Sequence, residues 1–165
     1  MNKDTARTLF ESGRSHALSS DLLYRAAIDE GDRRNVADPE LFAFNGPYSL
    51  SINALLGLGL ELMLKAAILA SDIDVNDEFL RKEIGHDLIK ALDKAEDVGF
   101  RSQAPNLRQI VEVMHPPYKA HWFRYERPEQ FELPGDFVQI VEALKTLDEE
   151  LQAKFWGEEQ PDTAP

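Results

Sequence analysis

Cysteine is absent from this chain of 165 residues. The absence excludes a disulfide framework, a thiol nucleophile and a thiolate metal site, and it agrees with the cytoplasmic localisation that we expect. The N-terminal residues lack the charged and then apolar pattern of a signal peptide. Gly-rich phosphate loops and the Gly-x-Ser-x-Gly elbow of hydrolases are missing as well. Several common classes of enzyme are thereby excluded.

Positive charge is scarce, with 18 Lys and Arg against 30 Asp and Glu and a net charge of −12. A chain this acidic repels phosphate backbones on average, so we expect no bulk binding of DNA. Residues 100–127 depart from this average, because this stretch contains five basic residues and only two acidic ones. The simpler explanation is chance variation along a helix–loop–helix stretch.

What the chain does contain is helical periodicity, with apolar residues at three- and four-residue steps. It predicts helices at residues 5–30, 47–70, 85–98, 107–114 and 137–155. Leu18 and Leu22 belong to the predicted apolar stripe of the first helix, and Val138 to that of the last. We expect an all-α, up-and-down bundle of four to five main helices. It forms one domain over residues 1–156, followed by a disordered acidic tail at 157–165.

Helix ends are predicted from glycine, proline and capping residues. Gly31 is expected to stop the first helix, and Gly99 the third. Asn106 is expected to cap the fourth helix, and Pro116-Pro117 to end it.

The second predicted helix is apolar on nearly every side, as expected for a helix surrounded by others. Its length also fits a membrane span, but Asn53, Glu61 and Lys65 would then lie in hydrocarbon. We therefore predict a core helix and no membrane association. Gly57 and Gly59 weaken a helix, so they indicate places where neighbouring helices come close.

Glu61 and Lys65 are four residues apart in the favourable order for a helical ion pair. Unpaired charges inside a core helix would each cost several kcal/mol. We expect these two to pair with each other, with His86, or with a loop containing Arg124 and Tyr125. Two interpretations remain open: a polar pocket at the centre of the bundle, and a buried network that fixes helix register.

Gly85-His86-Asp87 marks the start of the third helix. Asp87 is placed to interact with the positive end of the helix dipole. His86 is a candidate general base or titrating group, and the alternative is a capping and packing residue.

The stretch Gly-Leu-Glu-Leu-Met-Leu-Lys-Ala-Ala-Ile-Leu, at 59–69, followed by Gly-His-Asp-Leu, at 85–88, resembles the HEPN family of small helical bundles. Phe123-Arg124-Tyr125-Glu126 also resembles an Arg-Tyr loop of some members. The resemblance implies a helical bundle, frequent homodimers, and roles around RNA, nucleotides and toxin–antitoxin systems.

Ribonuclease members of that family carry an Arg and a His separated by four to six residues, and they cleave RNA with its own 2′-hydroxyl. Arg81…His86 and Arg108…His115 fit this spacing. The first pair overlaps Gly-His-Asp-Leu, upstream of the family's catalytic motif. The second has Gln109 where Asn, Asp or His usually follows the Arg. We therefore favour a protein that is not an enzyme, with an endoribonuclease using Arg108 and His115 as the alternative.

His115 and His121 lie six residues apart, without a suitably spaced carboxylate pair, so we expect no metal and no cofactor. The aromatic residues around Arg124 offer stacking faces for a base. The alternative, which we favour for Trp122 and Phe123, is a loop that packs its aromatic side chains back on the bundle while Arg124 pairs with Glu61. For Arg124 and Tyr125 both interpretations remain open.

The predicted function is binding of a nucleotide, RNA or protein partner by a homodimer. The predicted ligand site consists of Glu61, Lys65, His86, Arg124 and Tyr125, with an anion or base held by Arg124 and His86 beside the second helix. A third possibility is an interaction or helper subunit, whose acidic surface suits a basic partner.

Overall fold

A computed structural model describes residues 2–71, 75–121 and 137–157. These residues form helices and no strand, which confirms the all-α prediction. In chain order the elements are α1 (Asn2–Arg33), α2 (Pro39–Asn45), α3 (Ser49–Leu69), α4 (Asp77–Phe79), a π-helical turn (Leu80–Ile84), α5 (Leu88–Asp97), α6 (Leu107–Lys119) and α7 (Phe137–Trp156). The predicted acidic tail, apart from Gly157, and the predicted Arg124-Tyr125 loop lie outside the described residues.

The helix α3 is the centre of the core, as its all-round apolar sequence predicted. It contacts α1, α2, α5, α6 and α7. Among the described residues it is the one helix long and apolar enough to cross a membrane, but 72% of that stretch is buried by other helices. That burial is the pattern of a core helix.

Two glycines of α3 allow close contact with neighbouring helices, as predicted. A Cβ on Gly59 would lie 3.1 Å from the carbonyl oxygen of Gly13 in α1. A Cβ on Gly57 would lie 2.4 Å from the ring of Tyr118 in α6. Neither position has room for a side chain, so glycine allows the neighbouring helix to approach.

The predicted end of the first helix at Gly31 is wrong, because α1 continues to Arg33. A Cβ on Gly31 would lie 3.3 Å from Pro39 and from Phe42 of α2. This glycine therefore allows α2 to pack against α1 and does not stop the helix.

The predicted end of the fourth helix at Pro116-Pro117 is also wrong, because α6 continues to Lys119. A proline removes one backbone donor, but the extra turn gains side-chain bonds from Tyr118 and Lys119 to α3 and α5. Asn106 is at the N-cap of α6, as predicted, but its side chain does not cap the helix. That residue has a left-handed backbone with φ of 57° and makes no side-chain cap hydrogen bond.

Three predicted core positions face outward instead. Leu18 is 59% exposed, Leu22 is 69% exposed, and Val138 is 57% exposed. The apolar stripe of α1 is thus wider than the part that contacts α3. Leu18 borders a groove of about 280 Å³ between α1 and α7, whose apolar lining also includes Ala17, Met63, Val141 and Leu144. We call this groove, together with Leu18 and Leu22, the α1–α7 face.

Candidate functional site

A buried carboxylate organises the candidate site. Glu61 lies on α3 and is 2% exposed. Its Oε1 accepts a hydrogen bond of 2.6 Å from Lys65 Nζ. Its Oε2 lies 2.9 Å from Nδ1 of His86 and accepts a hydrogen bond of 2.7 Å from the hydroxyl of Tyr118. Residues from α3, from the turn before α5 and from α6 therefore meet at one side chain.

Glu61 is ionised despite its burial. Burial by itself raises the pKa of Glu61, but hydrogen bonds from Lys65, Tyr118 and His86 together outweigh it and hold the pKa below its ordinary value of 4.5. An ionised carboxylate is only an acceptor, so Nδ1 of His86 carries the proton of their hydrogen bond. The Nε2 atom is left for other partners, and the His86 side chain is 53% exposed.

Lys65 connects this network to the turn before α5. Its ammonium donates a second hydrogen bond of 2.6 Å to the carbonyl oxygen of Gly85, and its side chain is 11% exposed. Gly85 has φ of 57° and ψ of −128°, a conformation that favours glycine. This conformation places the Gly85 carbonyl on Lys65 and the following His86 on Glu61.

Asp87 forms a second polar centre beside the first. Its Oδ1 caps α5 by accepting from Lys90 N at 2.9 Å, as its predicted place at the helix start indicated. Its Oδ2 accepts a hydrogen bond of 2.8 Å from Lys119 Nζ. Burial raises the pKa of Asp87, but the bonds from Lys119 and Lys90 outweigh it and lower the pKa. His115 Nδ1 lies 3.4 Å from Oδ1 without hydrogen-bond geometry, so their interaction is electrostatic.

Three of the five predicted ligand-site residues converge in the structure: Glu61, Lys65 and His86. Arg124 and Tyr125 lie outside the described residues. The ring of His121 packs edge-on against that of His86, with 5.6 Å between their centroids.

Arg108 and His115, the predicted residues of the ribonuclease alternative, lie on α6 two helical turns apart, about 10 Å along the axis. Arg108 forms ion pairs with Asp93 at 2.8 Å and Glu96 at 2.7 Å on α5. His115 lies beside Asp87. Both side chains thus face acidic residues of α5, at separate points along the contact between the two helices.

An open cleft of about 260 Å³ borders the Glu61 network, between the start of α1, α3 and the π-helical turn. Its polar lining consists of Thr5, Lys65, Asp77, Arg81 and His86, and its apolar lining includes Leu9, Leu62 and Leu80. Within the described ranges, no group of three or more His, Asp or Glu residues is arranged to hold a metal ion.

Sequence reasoning missed Tyr118 and Arg81 as parts of this site. Tyr118 follows Pro116-Pro117, where the helix was expected to have ended. The small size of Gly57 was the one available signal for a large side chain there, but it does not identify the partner. Arg81 was noted only for its spacing from His86.

Comparison of the chain with protein-family models, with curated proteins and with solved structures gave no match.

Proposed function

We propose that this chain is a non-catalytic, HEPN-like helical bundle that binds a nucleotide or RNA at the Glu61–Lys65–His86 network. The observation that carries the proposal is the arrangement of His86. A buried carboxylate fixes its Nδ1, while the half-exposed ring borders an open cleft. An imidazole held in this way is preorganised to donate from Nε2 to an anion when it is protonated.

The two motifs of the HEPN resemblance supply this network. Glu61 and Lys65 come from the first motif, and His86 and Asp87 come from the second. Both interpretations of the network have support, because Glu61 is fully engaged with the protein whereas His86 is half-exposed. We assign a structural role to the first residue and a ligand-binding role to the second.

The absence of catalysis is supported by the contacts of the ribonuclease candidates. Arg108 is held by two carboxylates of α5, and Nδ1 of His115 is buried near Asp87. RNA cleavage by the purified protein that is lost in His115→Ala would overturn this part of the proposal.

Binding is tested by calorimetric titration with ribonucleotides and with a short oligoribonucleotide. We expect His86→Ala to weaken binding by about tenfold or more, since a hydrogen bond to a charged group is worth about 1.5–3 kcal/mol. His16→Ala on α1 is a control, because that histidine lies outside the network and the cleft. A wild-type protein that binds none of these ligands between pH 5 and 8 would refute the proposal.

The homodimer belongs to the same proposal, and the α1–α7 face supports it. Leu18 and Leu22 form a ridge four residues apart beside an apolar groove, so ridge and groove of two copies can pack reciprocally. The groove's charged residues are two basic and two acidic (Arg14, Lys145, Asp21 and Asp148). Their charges cancel, so two copies can meet here despite a net charge of −12 each.

Sedimentation analysis tests the dimer. We expect a dimeric wild type and a monomeric Leu22→Asp variant. Leu41→Asp is the matched control, because Leu41 is 59% exposed on α2, outside this face. A wild-type protein that is monomeric at micromolar concentration would contradict the proposed homodimer.

A further inference from the structure

We infer that the cleft holds a single ribonucleoside monophosphate, with Arg81 on the phosphate and Asp77 on the ribose. This inference rests on the proposed nucleotide binding. It adds the identity of the ligand and two residues that directly contact it.

The donors for a phosphate come from three parts of the cleft wall. Arg81 has no ion-pair partner among the described residues, whereas its neighbour Lys82 pairs with Glu78 at 2.6 Å. Lys65 uses two of its three ammonium hydrogens on Glu61 and Gly85, which leaves one. His86 adds an N–H at Nε2 when both ring nitrogens carry a proton. A planar guanidinium next to two further donors matches the oxygens of one phosphate group.

The π-helical turn explains why Arg81 and His86 border one cleft. The amide of Gly85 donates to the carbonyl oxygen of Leu80 at 2.9 Å, which is the five-residue bond of a π-helix. The wider turn and the left-handed φ of Gly85 reverse the chain so that residues on either side line the same space.

Asp77 provides a hydrogen-bond acceptor in the cleft, in contrast to the donors described above. It lines the cleft and has no ion-pair partner among the described residues, although Arg81 lies only four positions further along the chain. An ionised carboxylate accepts hydrogen bonds, and the vicinal hydroxyls of a ribose donate two. The three leucines of the wall provide an apolar surface for the flat face of the base.

The size and charge of the surroundings favour one nucleotide over an RNA chain. The cleft volume of about 260 Å³ is slightly below the roughly 300–1,000 Å³ of pockets that enclose drug-sized ligands. It accommodates much of one nucleotide and not several. Each additional phosphate would also approach the surface of a chain with a net charge of −12, which is unfavourable.

The experiment is a calorimetric titration of the full chain with AMP, GMP, CMP and UMP, with inorganic phosphate, and with a short oligoribonucleotide. We expect Arg81→Gln to raise the Kd of the monophosphate that binds best by about tenfold, or about 1.4 kcal/mol. Lys82→Gln is the matched control, because it removes the same charge from the same helical turn, outside the cleft. We expect it to change the Kd by less than about twofold, through screened long-range attraction.

Asp77 is tested by comparing the ribonucleotide with its 2′-deoxy form. We expect the wild type to bind the ribonucleotide more tightly and Asp77→Ala to bind the two equally. Glu78→Ala, an exposed acidic neighbour outside the cleft, should keep the preference. Thermal melting of each variant checks that the bundle remains folded.

The possible failures are distinguishable. If nucleotides bind and His86→Ala weakens them, but Arg81→Gln behaves as Lys82→Gln does, the inference is wrong and the proposed function stands. If the oligoribonucleotide binds more tightly than every monophosphate, the inference is also wrong and the proposed function stands. If neither nucleotides nor the oligoribonucleotide bind, the inference and the proposed function are both wrong.

Discussion

Replacing Glu61 by Gln tests whether the buried carboxylate holds the network together electrostatically. The change keeps the size of the side chain and removes its charge. Lys65 would then be a nearly buried ammonium without a counterion, since its side chain is 11% exposed. The carboxylate has donors on both oxygens, whereas an amide presents one oxygen and one NH₂ group. At least one donor of the native network therefore loses its acceptor.

The expected loss of stability follows from that geometry. Removing one partner of a buried ion pair destabilises a protein by about 3–5 kcal/mol. We expect the lower part of this range, about 3 kcal/mol, because His86 is half-exposed and water replaces its lost bond. The double variant Glu61→Leu with Lys65→Met should recover much of the loss, because it removes both buried charges together.

Urea denaturation at pH 7 measures the free energy of unfolding. Glu78→Gln is the matched control: it neutralises the glutamate of another pair with the same four-residue spacing, Glu78–Lys82, whose side chains are 63% and 58% exposed. We expect this control to cost less than about 1 kcal/mol. Equal stability of Glu61→Gln and the wild type, or equal losses in the two variants, would refute the electrostatic argument.

Two further predictions concern pH and packing. The pKa of Glu61 in the folded protein lies below its ordinary value of 4.5, so on acidification the carboxylate is protonated in the unfolded chain before it is protonated in the folded one. Its contribution to stability is therefore complete above about pH 4.5 and is lost as the pH falls through the pKa of the folded state. Unfolding free energies measured from pH 7 to 3 should therefore fall less steeply for Glu61→Gln than for the wild type. Gly57→Ala should destabilise the protein by about 1–3 kcal/mol, because the new Cβ overlaps the Tyr118 ring. In a Tyr118→Ala background the same change should be neutral or stabilising, and a loss there would contradict the packing argument.

Much of the core could be predicted from the sequence because its signals are local. The all-round apolar pattern of α3 identified the central helix, and the two glycines indicated close contacts. The spacing of Glu61 and Lys65 and the cost of burying charges predicted pairing with each other, with His86 or with the Arg124-Tyr125 loop. The structure shows the first two of these contacts. In each case a short-range pattern and one physical rule were sufficient.

The remaining features depend on contacts between distant parts of the chain. The continuation of α6 past Pro116-Pro117 is stabilised by Tyr118 bonding to a residue 57 positions away. The π-helical turn has no distinctive local composition, yet it determines which side chains border the cleft. Leu18 borders the groove between α1 and α7 instead of packing into the core, and periodicity within α1 does not encode where α7 lies.

The division of roles within the Glu61 network follows from the exposure of its members. Lys65 and Tyr118 bond to Glu61 from positions covered wholly or partly by other helices, so their replacement should lower stability. The bond from His86 joins the same carboxylate to a half-exposed ring, which contributes less to stability because water substitutes for it. A stabilising network does not require its third donor to border an open cleft. The half-exposed ring of His86 is therefore the member of the network that the proposed ligand binding would use.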